Sequence, residues 1–125
     1  IYSTVIGEHA FGTAGITETD ARQEGFDVVS GIAEGIDRHP GSLPGAQKQI
    51  VKLTVARESG IIIGGEAYGG SSIGELTNLL GFIIQSRTNI HSLQTMQIGT
   101  HPMLTASPAA YPLIKAAGNA VAQMK

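Results

Sequence analysis

Ile61–Arg87, IIIGGEAYGGSSIGELTNLLGFIIQSR, reads as strand, glycine turn and helix, and the rest of the chain is organised around it. Ile61, Ile62 and Ile63 are β-branched and suit a pleated surface. Gly69-Gly70 breaks the run with backbone angles that other residues enter only at a cost. Ser72 and Glu75 have the spacing of a capping box, which predicts a helix starting there. On a 3.6-residue wheel, Ile73, Leu76, Leu79, Leu80, Phe82, Ile83 and Ile84 spread over about 200°, roughly twice the stripe a helix needs to sit on one layer. The remaining face carries Gly74, Asn78, Gly81 and Gln85, which let another backbone come close. The helix is therefore expected between its own sheet and a second surface, with Ile73, Leu76, Leu79, Phe82 and Ile83 as interface residues. The plain alternative is a helix buried wholly in its own core.

Upstream, Ile1–Ile6 is rich in β-formers and predicts a strand, which GEHAFGTAG then interrupts. Thr17 is placed to cap a short helix through Ala21 to Glu24, stopped by Gly25. Alternation from Phe26 to Ala33 predicts a second strand, and the Pro and Gly content of His39–Gly45 a loop. Val51, Leu53 and Val55 alternate with Lys52, Thr54 and Ala56, and Glu58-Ser59-Gly60 joins this strand to the isoleucine run as an antiparallel hairpin. Downstream, Asn89 caps a predicted helix over HSLQTMQ that ends near Gly99. Ser107 before Pro108, or Pro112 at a first helical position, opens a last helix through Lys115 to Gln123 with Leu113, Ile114, Ala117 and Val121 apolar. Strands in the first half and helices in the second indicate α+β, an antiparallel sheet with helices packed on one face, in a single domain over 1–125.

The 125 residues are enough to bury a core without staples. There is no cysteine, which excludes disulfides, thiolate catalysis and cysteine metal sites from this chain. A net charge of −2 and six Phe and Tyr residues without Trp leave neither the basic footprint nor the stacking platforms of a nucleic-acid binder. No apolar run approaches the ~20 residues of a membrane span. Charged residues are only 14%, and glycines number 17, so much of the surface is expected to be covered by neighbours. The chain begins at Ile1 inside a strand, which is expected of a piece of a larger protein.

There is no G-x-G-x-x-G after a strand and no G-x-x-x-x-G-K-[ST]. Gly69–Gly74 resembles a phosphate loop superficially but lacks the lysine, and a turn capped by Ser72 explains it. His9, His39, His91 and His101 are dispersed, so no metal site is expected. His101 differs from the others because Gly99 and Pro102 fix the chain around it. Ser71, Ser72 and Ser107 stand in no nucleophile elbow and read as turns or caps. Glu66 and Glu75 are candidates for acid–base work only if the fold brings them together.

Four stretches carry a family resemblance: Ala14-Gly15-Ile16-Thr17-Glu18 with Ala21, the hairpin KLTVARESGIIIGGEAYG, GGSSIGEL from Gly69 to Leu76, and Gly99-Thr100-His101-Pro102. In this order, spanning nearly the whole chain, they resemble the C-terminal dimerisation domain of the FAD-dependent pyridine nucleotide-disulfide oxidoreductases, which include glutathione reductase, dihydrolipoamide dehydrogenase, mercuric reductase and NADH oxidases. The resemblance implies a homodimer whose FAD and NAD(P) domains lie in the N-terminal part of a parent enzyme. Thr100, His101 and Pro102 would then approach the partner subunit's FAD. It further implies a chain inactive by itself, binding no cofactor alone, from a cytoplasmic enzyme that uses FAD and NAD(P)H.

Three positions depart from the family pattern. Disulfide-reducing members follow the His-Pro turn with a glutamate that orients the histidine as acid–base catalyst, the catalytic role the resemblance would give His101, and Ala106 stands at that position. An imidazole without such a partner loses its orientation, so an oxidase or another reductase fits better than a glutathione-type enzyme. His9 replaces an expected proline, and His39–Gly45 has no counterpart in the pattern. Two other readings stand beside this one: a free-standing small enzyme or ligand-binding domain using Glu66, Glu75 and His101, and an oligomerisation domain with no active-site role.

Overall fold

The computed structural model describes residues 1–125, with five strands in one antiparallel sheet. The strands are β1 (Tyr2–Ile6), β2 (His9–Gly15), β3 (Val28–Ile36), β4 (Lys48–Ala56) and β5 (Ile62–Gly69), in the spatial order β1-β2-β5-β4-β3. The helices are α1 (Glu18–Gln23), α2 (Ile73–Gln85), α3 (Ile90–Gln94) and α4 (Pro112–Gln123), with a 3-10 turn at Pro108–Ala110. α2 lies over β2 and β5, α4 over β3 and β4, and α3 packs on α4. This is the expected α+β arrangement.

The hairpin forms as its alternation predicts. β4 and β5 pair through Val51↔Ala67 and Leu53↔Gly65, with Gly60 at φ +70° in the connection. Val51, Leu53 and Val55 are fully buried beneath the helices, while Lys52 faces the other side. Two helix caps also follow the sequence: the Thr17 hydroxyl accepts from Asp20 N at 3.1 Å, and Asn89 Oδ1 from His91 N at 2.9 Å.

Four expectations are corrected. The segment read as an interruption contains β2, which pairs with both β1 and β5. Its Ala10, Gly12 and Ala14 have weak strand preference, but they are buried under α2, where a side chain at Gly12 would collide with Thr77. Small residues here buy close helix approach. Ser72 forms no cap either; its own backbone is helical (φ −62°, ψ −18°). Its hydroxyl instead donates to Asp37 Oδ2 at 3.3 Å and accepts from Gln49 Nε2 at 3.2 Å. The helix expected to end near Gly99 stops at Gln94, because Thr95 leaves helical geometry (φ −112°, ψ 13°) and Met96 packs against the core.

The fourth correction concerns the apolar arc of α2. Ile73, Leu76, Leu80 and Ile83 are buried by the chain's own sheet, so Ile73, Leu76 and Ile83 are core residues and not contacts for a second surface. Small residues draw the helix down: Leu80 sits directly over Gly65. Leu79 and Ile84 are half-buried, and Phe82 is 67% exposed. On the outer side Gly74 has open space where a Cβ would stand. Gly74→Ala is therefore expected to stabilise the fold by about 0.5–1 kcal/mol through helix propensity, read as a higher urea midpoint at unchanged slope.

At α1, Glu18 accepts from Arg22 at 2.8 Å and meets Lys52 Nζ at 2.9 Å. The hydrogen bond from Arg22, then that from Lys52, holds its carboxyl down from 4.5 to about 2. A depressed folded-state pKa contributes stability above the unfolded value and loses it as pH falls through the folded one. Arg22 is half-exposed, so solvent screening limits the contribution to about 1 kcal/mol. The stability gap between the chain and Glu18→Gln in urea melts should be full at pH 6 and should close progressively between pH 4.5 and 2.

Candidate functional site

Thr100, His101 and Pro102 are exposed, in the connection between α3 and the 3-10 turn. The turn is held from both sides. The His101 carbonyl accepts from Leu104 N at 2.9 Å and Thr105 N at 3.0 Å, and His101 N donates to Thr105 Oγ1 at 3.1 Å. The loop after β3 braces it: His39 N donates to the Pro102 carbonyl at 3.2 Å. His101 Nδ1 accepts from Met103 N at 3.2 Å. That bond assigns the neutral ring's proton to Nε2, where it is free to be donated to another group. No carboxylate pairs with His101, and Ala106 is buried in the wall of a neighbouring cavity. The ring can donate a hydrogen bond, but this chain supplies no orienting acid.

The other candidates do not converge on it. Glu66 lies on the sheet face away from α2, 3.9 Å from Lys52 Nζ, whereas Glu75 stands on the first turn of α2. The sheet separates the two carboxylates, which removes the acid–base pair on which a free-standing enzyme would rest. His9 stacks on Tyr68 at 5.5 Å, and Tyr68 OH and His9 Nδ1 are 2.9 Å apart. No three His, Asp or Glu side chains gather anywhere. At the glycine-rich start of α2 the Asp37 carboxylate holds Ser72, a poor setting for phosphate.

On α2, Phe82 projects outward with exposed Asn78 and Gln85 beside it, and Ile1 rests against Gly81. A family model of the pyridine nucleotide-disulphide oxidoreductase dimerisation domain matches residues 1–110. The chain belongs to that family. This dimerisation domain is similar to part of an NAD-dependent persulfide reductase from A. fulgidus, with 26% identity over 98% of this chain and 22% of that one and a TM-score of 0.86. It is also similar to part of the water-forming NADH oxidase from Lactobacillus brevis, with 22% identity over 98% of this chain and 27% of that one and a TM-score of 0.88. The domain thus spans about a quarter of these structures' chains. No curated protein matches its sequence.

The dimerisation domain has a second apolar surface that the sequence reading missed. Tyr2, Phe11, Ile32 and Ile36 stand exposed on the sheet face opposite α2 and α4. Exposed apolar area of this extent is ordinarily covered by a partner or another domain. The available signal was Ile32 and Ile36 on a strand whose alternate positions, Val29, Gly31 and Ala33, are also non-polar.

Proposed function

We propose that this chain is the homodimerisation domain of an NAD(P)H-dependent FAD oxidoreductase, joining two copies through the outer face of α2. It offers the Thr100-His101-Pro102 turn to the partner subunit's flavin site. The observation that carries the reading is Phe82, 67% exposed on a well-packed helix and flanked by half-buried Leu79. An aromatic side chain left in water beside aliphatic neighbours is the usual anchor of a protein interface. The His-Pro turn adds a donor: the hydrogen bonds with Leu104 and Thr105 fix the His101 backbone, that from Met103 N orients the ring, and Nε2–H is free. Bound in the parent's N-terminal part, FAD would accept hydride from NAD(P)H and pass electrons onward. His101 would contribute a hydrogen bond there, and Ala106 leaves it without the carboxylate that proton transfer to a disulfide uses. This favours an acceptor such as oxygen.

Sedimentation velocity tests the association. A concentration-dependent dimer is expected, and a monomer persisting at several hundred micromolar would count against the reading. In the flavin-bearing parent, His101→Ala should alter flavin fluorescence while leaving the dimer intact. An unchanged spectrum would remove the turn from the flavin site.

A further inference from the structure

We propose that the cavity of about 310 Å³ between the first turn of α2, the start of β4 and the segment after the His-Pro turn binds an organic cation, an ammonium or guanidinium group on a short aliphatic stem. Its polar wall is built around Asp37, which is only 7% exposed. Asp37 Oδ1 accepts from Gln47 N at 2.7 Å, and Oδ2 from Ser72 Oγ at 3.3 Å. No basic side chain pairs with it: none of the chain's ion pairs includes Asp37, and adjacent Arg38 turns away to the Pro44 carbonyl. Buried carboxylates are ordinarily matched by a positive charge.

A second polar group points the same way. Gln49 is 8% exposed, and its Nε2 donates to Ser72 Oγ, whose own proton is directed at Asp37. With Ser72's only proton spent, Gln49 Oε1 has no donor within the chain and opens on the cavity. One wall therefore carries a hydrogen-bonded carboxylate without a counter-charge and an amide oxygen without a donor, with exposed Glu75 beside them. Leu76, Leu79 and Ala106 form the apolar side, which suits methylene groups. An ammonium supplies three donors and a guanidinium five, and neither offers an acceptor. Anions are repelled by the same wall. A divalent metal lacks ligands, since no three His, Asp or Glu side chains gather here. The small side chain of Ala106 leaves the volume open.

The cation can belong to a free amine or guanidine, or to a Lys or Arg side chain of a second copy. The test is a titration of the ¹⁵N-labelled 125-residue chain with n-butylguanidinium chloride at constant ionic strength, with n-butylurea as the uncharged control. A free ligand gives saturable shifts at the Gln49 side-chain amide, Ser72 and Ala106, absent with butylurea and weakened at least tenfold by Asp37→Asn. Ala106→Leu keeps the carboxylate but fills the cavity, and should weaken binding as much even where Asp37→Asn unfolds. A side chain of a second copy gives a different result: butylguanidinium and Ala106→Leu both shift the chain toward monomer. Equal binding of butylurea, binding undiminished in Ala106→Leu, or no saturable shift combined with unchanged association in Ala106→Leu overturns the proposal.

Discussion

Gly31→Val should destabilise the chain by more than about 3 kcal/mol, enough to unfold a domain of ordinary marginal stability. Gly31 pairs with Leu53 at the centre of the β3–β4 ladder, directly beneath α4. A Cβ there would collide with the Ala116 carbonyl oxygen and the Ala120 nitrogen, and would lie 2.8 Å from the Ala120 Cβ. The first two are backbone atoms of a helix, which cannot yield as a flexible side chain does. Either α4 lifts from the sheet, exposing buried Leu113, Ala116, Ala117 and Ala120, or β3 bends and loses its ladder. Gly118, on the same helix, is the control. A Cβ there would meet only the Gln94 side chain at 3.5 Å, and Gly118→Ala should stabilise by about 0.5–1 kcal/mol. Urea melts followed by far-UV circular dichroism separate the two. A Gly31→Val stability within about 1 kcal/mol of the parent chain would show that the sheet–helix contact is looser than the structure has it.

Phe82→Asp should separate association from folding. The ring is 67% exposed, so the monomer loses little when it goes, within about 0.5 kcal/mol. At an interface centre, truncating an aromatic anchor and desolvating a carboxylate in its place costs about 2–4 kcal/mol, a dimer dissociation constant raised roughly 30- to 1,000-fold. Leu80, two positions earlier, behaves in the opposite way. It is fully buried over Gly65, and Leu80→Ala should cost about 2–5 kcal/mol of folding stability through the cavity it leaves. Sedimentation equilibrium and urea melts on both variants give four numbers. An association constant unmoved by Phe82→Asp would transfer the contact elsewhere, and the exposed sheet face at Tyr2, Phe11 and Ile32 is the surface then left.

Elements whose cause is local were legible. The β4–β5 hairpin follows from two alternating runs and Gly60, and the Thr17 and Asn89 caps need only a hydroxyl or amide two or three residues from its partner. The resemblance carried by the ordered motifs reached the family for the same reason, because it reads order and spacing along the chain. Ser72 had the right spacing to Glu75, yet its hydroxyl is used 35 residues away by Asp37. β2 was hidden because its Gly and Ala residues answer to α2, which is distant in sequence. The cavity at Asp37 and Gln49 was invisible for the same cause: its wall is assembled from the residue that follows β3, from β4, from α2 and from the segment after His101.

By itself the sequence determined the class of fold, the hairpin, the long amphipathic helix and the family, since these depend on side-chain period and on residues within a few positions of one another. Only the tertiary structure decided how the seven apolar residues of α2 are divided. The small-residue floor of β2 and β5 takes Ile73, Leu76, Leu80 and Ile83 into the core, while Phe82 stays in water. A helical wheel gives each residue an angle, but which angles meet protein is set by the strands that pack beneath.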